Sequence, residues 1–369
     1  MELNLASHAI NEYVNLAKFV MHEGCGKVAN GVLRSLVRAK DAGQIPVPPK
    51  PHGTMSRREA ADLLATGYSH PTWMVVKWLR QFGPKETVAL LNHNNRRPKF
   101  SLRLRDTLSG MEEIVELGAK AVPSAYLKDE FVVIQNGLQK VIASGMLKRG
   151  DAQVQDEAAG MVVAMLDPRP GETILDCCAA PGGKTIFAAS RMNGLGSILA
   201  LDSVESRVGA VRNAAEKHGF SSMISCITSD ARQYCDNAAV TGDTFDKVLV
   251  DAPCSGTGVM AKRADMRWRR RESDLATLVS LQTDLLDSAA KVVKPGGVLV
   301  YSTCSIEREE NTCIVEQFLE RHADFEIVSG ATIGGIPDQC LDEAGCLMML
   351  PFKHETDGAF AARLQRRKT

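Results

Sequence analysis

Apolar residues recur three and four positions apart over the first forty residues, a period that predicts two helices. Ile10, Tyr13, Val14, Ala17 and Met21 make one stripe and Val28, Val32, Leu33 and Leu36 the other, with Gly24 and Gly26 between them. Two helices alone make a poor core, so they must pack against something else or be the end of a larger helical domain. The proline-rich stretch from Gly43 to Gly53 reads as a linker. Helical periodicity around residues 56–66 and 71–92 then gives way to alternation from Phe100 to Arg105, the mark of a strand. Ser109 and Glu112 fit a capping box opening a helix that runs through Leu117, and short strands are expected at Ala125 to Leu127 and Phe131 to Ile134.

A helix is expected from Val154 to Leu166, and beyond it the texture changes again. From Ile174 to Thr185 the chain reads ILDCCAAPGGKT: an apolar run ends in an acid and breaks into small residues, two glycines and a lysine. That is a strand, a tight turn and a helix start. Further apolar runs end at Asp202, Asp230 and Asp251, and another ends at Thr303 and Cys304. One such acid would be an ordinary helix cap, but a series at strand ends is a binding site. Strands alternating with helices through right-handed crossovers give a doubly wound α/β sheet, with its ligand beyond the carboxyl ends of the strands at the switch point.

The glycine turn narrows the ligand. A phosphate-binding P-loop needs a glycine five residues before Gly183, and Cys178 stands there. The dinucleotide spacing G-x-G-x-x-G is also absent, because Gly182 and Gly183 are adjacent. What remains is a smaller anionic or zwitterionic nucleoside ligand, with Asp202 a little past the roughly 20-residue spacing at which an acid meets a ribose hydroxyl.

Composition changes the picture in three ways. The 44 basic residues balance the 44 acids, so any nucleic-acid contact must come from local basic patches. Asn94, Asn95, Arg96, Arg97 and Lys99, followed by Arg103 and Arg105 on the strand, form one candidate phosphate-contacting groove; Lys262 to Arg271, KRADMRWRRR, is a second, with Trp268 available for stacking. Small open sheets of the kind expected before residue 150 often carry RNA-binding surfaces. No apolar run reaches the roughly 18 residues that span a bilayer, and no signal peptide opens the chain, so a soluble intracellular protein is expected. The ten cysteines contain no C-x-x-C pair, so metal binding is not expected and most should be buried thiols in a reducing compartment.

Two cysteines stand apart. Asp251 to Gly258 reads DAPCSGTG and Tyr301 to Ile306 reads YSTCSI, so Cys254 and Cys304 follow neighbouring strand ends and two thiols can face one pocket. The pairing suits methylation of carbon 5 of a pyrimidine, which is too weak a nucleophile to attack a sulfonium methyl unaided. A thiolate adding to carbon 6 pushes electron density to carbon 5; after methyl transfer a base removes the carbon-5 proton and the thiol is eliminated. The thiol must ionise in positive surroundings, for which Lys184 is the nearest candidate, and Asp251 can hold a cytosine ring at nitrogen 3 and the exocyclic amine. Chemistry alone does not order the two thiols.

Through these motifs the chain resembles the Sun-type (NOP/Sun) family of RNA cytosine-5 methyltransferases, closest to the bacterial small-subunit ribosomal RNA branch. YSHP at Tyr68 to Pro71, NNRRP at Asn94 to Pro98, VQDEAAG at Val154 to Gly160 and DGAFAARL at Asp357 to Leu364 extend the likeness over nearly the whole chain. The resemblance implies a Rossmann-like S-adenosylmethionine-dependent sheet over residues 151–369, a small α+β RNA-binding domain over 46–150 and a short helical remnant of a NusB-like domain over 1–45. It implies S-adenosylmethionine as methyl donor, its methionine end near Cys178, Ala179, Ala180, Pro181, Gly182, Gly183 and Lys184, its ribose on Asp202, its adenine near Asp230, and Arg207 close by. It also implies Cys304 as nucleophile and Cys254 as the residue that assists product release, although in cytosine-5 DNA methyltransferases a Pro-Cys thiol attacks, which leaves the reverse order open. The implied partner is RNA, most of all ribosomal RNA, for a monomer working without metal or membrane in the cytoplasm, or in a plastid or mitochondrion of a eukaryote.

Two departures stand out. Residues 1–40 match only the last helices of the NusB-like domain, with Asn30 to Arg34 at its end, so the sequence is truncated or the domain has decayed. Cys177 replaces the apolar residue that more often follows the motif's acid. Two other readings compete: methyl transfer to an amine, for which an Asn-Pro-Pro-Tyr turn would be expected in place of Asp-Ala-Pro-Cys, and a non-catalytic RNA-binding assembly factor retaining the fold.

Overall fold

The computed structural model describes residues 5–44 and 55–368, so the expected linker from Gly43 to Gly53 lies almost wholly outside the described residues. The chain divides into two compact units, Met1–Thr72 and Trp73–Thr369. In the first, α1 (Leu5–Val20) and α2 (Glu23–Asp41) form a hairpin. His22 caps α2 by accepting the N–H of Gly24, and Gly26 leaves room for the Lys18 side chain of α1. Ile10 is buried, but Tyr13, Met21, Val28, Val32 and Leu36 stay more than half exposed, so the two stripes are only partly covered among the described residues. A capping box of Ser56 and Glu59 opens α3 (Arg57–Tyr68).

The second unit opens with α4 (Thr72–Gln81) and α5 (Gly83–Asn95). A small antiparallel sheet follows, built from β1 (Phe100–Leu104), α6 (Thr107–Glu116), β2 (Lys120–Pro123), β3 (Phe131–Asn136), α7 (Leu138–Ala143), α8 (Met146–Arg149) and β4 (Ala152–Val154), in strand order β2-β3-β1-β4. Three expectations shift here. The first is the start of α6, which is capped by Asp106, whose Oδ1 accepts the Ser109 N–H at 3.0 Å, so Ser109 lies inside the first turn and the Ser109–Glu112 box does not form. The second is the strand expected at Ala125 to Leu127: there the Ser124 hydroxyl accepts the N–H groups of Tyr126 and Leu127, curling the backbone into a turn, and β2 lies just upstream. The third is the helix expected from Val154. Val154 pairs with Leu102 in the sheet, and α9 (Glu157–Leu166) begins only after Asp156 caps it.

The large sheet is built from β5 (Thr173–Asp176), α10 (Gly183–Arg191), β6 (Ser197–Asp202), α11 (Glu205–His218), β7 (Ile224–Thr228), α12 (Ala231–Thr241), β8 (Phe245–Asp251), α13 (Met266–Arg269), α14 (Glu272–Ala290), β9 (Val293–Thr303), α15 (Thr312–Arg321), β10 (Phe325–Ile327), β11 (Leu347–Met349), α16 (Pro351–His354) and β12 (Ala359–Arg366). Its order is β10-β12-β9-β8-β5-β6-β7; β5 to β9 run parallel, and β12 is antiparallel between β9 and β10. Alternation builds a core on each face. Ile174, Ile198, Ala200, Leu249, Val298 and Val300 pack with α9, α10 and α11, whereas Leu175, Leu201, Val248, Val250, Leu299 and Tyr301 pack with α12, α14 and α15. The strand order reverses between β5 and β8, which opens a crevice beyond Asp176 and Asp251. The fold is the α/β doubly wound, Rossmann-like sheet expected, preceded by a small α+β sheet and helices.

Candidate active site

The glycine turn after β5 is shaped for close approach. Gly182 caps α10 at φ 104°, a conformation that favours glycine, and an added Cβ would lie 3.3 Å from the Val211 backbone of α11. Beside this turn lies a cavity of about 480 Å³ that brings together Cys178, Ala180, Asp202, Arg207, Asp230, Asp251, Cys254 and Cys304. The expected site residues Ala179, Pro181, Gly182, Gly183 and Lys184 are not among its lining. Asp202 is buried, accepts the Val204 N–H at 3.2 Å and pairs with Arg207 at 3.3 Å. Arg207 also donates to the Ala180 carbonyl at 3.2 Å, joining the ends of β5 and β6. Asp230 caps α12 and pairs with Arg232 at 2.6 Å, which holds its carboxyl below the usual range. Acids and arginines therefore face one space of nucleoside size, a combination that suits a zwitterionic nucleoside.

The sulfur atoms of Cys254 and Cys304 are 3.4 Å apart, on the turns after β8 and β9. Their surroundings differ. A hydrogen bond from the Cys254 thiol lowers the Cys304 pKa; burial and Asp251 oppose this, and Lys184 assists. The same bond and burial raise Cys254, and Glu310 adds to the rise. Lys184 donates to Asp251 Oδ2 at 2.6 Å, and Ser302 donates to Oδ1 at 2.8 Å, so Asp251 is held on both oxygens. Burial opposes the charge on Lys184, but Asp251 outweighs it and its pKa is raised. Asp176, at the end of β5, is fully buried, and its pKa is pushed up to about 7, with only Oδ2 taking a hydrogen bond, from Thr185 at 2.7 Å.

The basic patches are only partly surface. Arg103, expected in a phosphate groove, is buried because β4 pairs across it, and it donates to Gln155 at 3.0 Å and Gln153 at 2.6 Å. In the run from Lys262 to Arg271, Lys262 bridges Asp156 and Asp357, Arg267 reaches Asn95 Oδ1 at 2.7 Å, and Arg270 donates to the carbonyls of Cys254 and Ser255, each at 3.0 Å. Arg269 and Trp268 remain exposed. Arg270 of this stretch braces the cysteine turn, while Lys262 and Arg267 tie it to other elements. Glu310 and Gln282, which also hold that turn, carried no signal in the sequence: nothing in EREEN or in an amphipathic helix marks one acid or one amide as inward.

A parallel sheet with its crevice at a strand-order reversal, acids at successive strand ends and a glycine turn at the cavity edge define a Rossmann-like methyltransferase. The family described as 16S rRNA methyltransferase RsmB/F matches residues 163–365. The probable ribosomal RNA small subunit methyltransferase B of Bacillus subtilis is 33% identical over 377 residues, covering 97% of this chain and 78% of that one. Ribosomal RNA small subunit methyltransferase B of Photorhabdus laumondii is 30% identical over 369 residues, covering 98% and 78%. Among solved structures, PH0851 superposes with a TM-score of 0.78 at 29% identity over 98% of this chain and 77% of that one. A methyltransferase homolog from Pyrococcus horikoshii shares the fold, with a TM-score of 0.70 at 23% identity over 85% and 100%. The chain belongs to the RsmB/F family of 16S rRNA methyltransferases, within the Sun-type family that its motifs resemble. It is an RNA methyltransferase that takes its methyl group from S-adenosylmethionine. Among the described residues no helix is long and apolar enough to cross a membrane.

Proposed function

We propose that this enzyme methylates carbon 5 of a cytosine in small-subunit ribosomal RNA through a covalent bond between Cys304 and carbon 6, as a cytoplasmic monomer. The observation that carries the reading is the 3.4 Å pair of sulfurs beside Asp251 in the same cavity as Asp202 and Asp230. The names of the relatives, which are ribosomal RNA small subunit methyltransferases, support the choice of RNA. Residues 46–150 act as the RNA-holding part and 151–369 as the catalytic part.

S-adenosylmethionine, when bound, supplies an electrophilic methyl on a sulfonium centre. Asp202 would accept from the ribose and Asp230 would face the adenine, while Cys178, Ala180 and Arg207, the cavity-lining residues at the glycine turn and α11, would hold the methionine end. Asp251, fixed by Lys184 and Ser302, accepts from the exocyclic amine of the cytosine. The Cys304 sulfur, its thiolate favoured by the Cys254 donor and Lys184, adds to carbon 6, and the electron pair moves toward carbon 5, which would take the methyl as its bond to the sulfonium sulfur breaks and the donor leaves as a neutral thioether. A base then removes the carbon-5 proton, the pair re-forms the ring double bond, and the carbon–sulfur bond breaks. Cys254 assists this release by donating to the departing sulfur. Sulfur supplies the electron push, so the scheme needs no metal.

The test is methyl transfer from labelled S-adenosylmethionine to ribosomal RNA. Cys304→Ala abolishes transfer, whereas Cys254→Ala leaves a protein–RNA adduct that survives denaturing electrophoresis. A Cys254→Ala enzyme that turns over normally without adduct, or a methyl found on nitrogen, overturns the scheme.

A further inference from the structure

We infer that Glu310 is a positioning residue of this site, whose buried carboxylate ties the turn carrying Cys254 to the turn carrying Cys304 so that the two sulfurs meet in one orientation. Its Oε1 accepts the Ser255 N–H at 2.8 Å and Gln282 Nε2 at 2.9 Å, and its Oε2 accepts the hydroxyls of Ser255 and, at 2.6 Å, Ser305. Two of these partners can only donate, and the whole side chain is out of solvent. Ser255 follows Cys254 and Ser305 follows Cys304, so one carboxylate fastens both thiol turns one residue past the sulfur. Gln282 closes the clamp by donating also to the Pro253 carbonyl at 2.9 Å, while Arg270 takes the carbonyls of Cys254 and Ser255.

The clamp also sorts charge. Lys184, Asp251 and Asp357 face Cys304, whereas Glu310 faces Cys254. A carboxylate next to Cys254 disfavours a thiolate there and keeps that thiol as the donor, leaving the anion on the sulfur near Lys184. Glu310 thus adds by charge to the division that it holds by geometry, against Asp251 and Asp357, which oppose an anion on Cys304. Sulfur reactivity follows thiolate content, so the division is measurable without turnover.

This inference rests on the two-thiol reading above, and its test separates the two. Iodoacetamide alkylation of the whole protein is followed over a pH series, with Cys254 and Cys304 peptides quantified by mass spectrometry. In the wild type Cys304 reacts at lower pH than Cys254. Glu310→Gln keeps the shape and an acceptor for Ser255 but loses the charge: the Cys254 midpoint moves down, the gap narrows, and kcat falls about tenfold or more while S-adenosylmethionine affinity by calorimetry is unchanged. Unmoved midpoints with wild-type kcat overturn the inference. Ser305→Ala cuts the tie to the Cys304 turn and leaves the charge, so it lowers kcat without narrowing the gap; if Glu310→Gln does not fold, a wild-type kcat in Ser305→Ala overturns the inference instead. Failure to methylate any cytosine would sink the cytosine reading yet leave the alkylation result to decide on Glu310.

Discussion

Lys184 and Asp251 meet across the switch point of the sheet, with Nζ 2.6 Å from Oδ2. One belongs to the helix after β5 and the other ends β8, and these two strands are neighbours. The ammonium favours a thiolate on Cys304 and offsets part of the opposition from Asp251, which still acts against that thiolate. Lys184→Met removes the favourable charge and unmasks the unfavourable one. The acidic limb of the pH–rate profile should move to higher pH, with kcat at neutral pH down by about a hundredfold. An unmoved limb would mean that Lys184 acts on Asp251 alone.

The ribose assignment of Asp202 is tested by binding alone. This acid is buried, with Arg207 on one side, and a charged hydrogen bond to a sugar hydroxyl is worth about 1.5–3 kcal/mol. Asp202→Asn should weaken S-adenosylmethionine and S-adenosylhomocysteine alike, by about ten- to a hundredfold in calorimetry. Equal affinity in the variant would move the ribose elsewhere.

Asp176 makes stability depend on pH. Its carboxyl, ordinarily near 3.8, is pushed up to about 7 in the fold by burial, partly offset by the Thr185 bond and then raised again by Asp251. Between those values the folded protein holds a proton that the unfolded chain has released, so stability falls as pH rises through that window. Asp176→Asn removes this proton, and its Tm relative to the wild type should improve from about pH 5 to about pH 8. Parallel Tm curves would show that Asp176 does not titrate there.

Gly258 marks where backbone replaces side chain under Cys304. An added Cβ would lie 2.6 Å from the Cys304 carbonyl oxygen and 2.7 Å from the Gly358 Cα, and neither is the yielding end of a flexible side chain. The Gly258 N–H donates to the Cys304 carbonyl at 3.0 Å, so displacement reaches the thiol. Gly258→Ala should cost about 1–3 kcal/mol in chemical denaturation and lower kcat more than it changes S-adenosylmethionine affinity. A wild-type kcat would show that the turn absorbs the methyl group.

Much of this protein could be read before any coordinates. The apolar runs that end at Asp176, Asp202, Asp251 and Thr303 marked strands of a doubly wound sheet, because each run and the helix after it are local to the chain. The strand-end acids and the two cysteine motifs were likewise visible, because each is a short run whose meaning lies in its neighbours. Local signals also misled where two were close together: Asp106 outcompeted Ser109 as a cap, and Ser124 turned a β-prone stretch aside.

Tertiary structure alone decided what lies far apart in sequence. Arg103 became a core hydrogen-bond donor because β4 folded over it, Arg270 turned back onto the cysteine turn, and Glu310 gathered Ser255, Gln282 and Ser305 around one carboxylate. The different surroundings of the two thiols also belong to this level. Both motifs present an equivalent sulfur, and only the folded chain sets Lys184 against one and Glu310 against the other. Charge acts through space, and a linear chain carries no record of which charges will become neighbours.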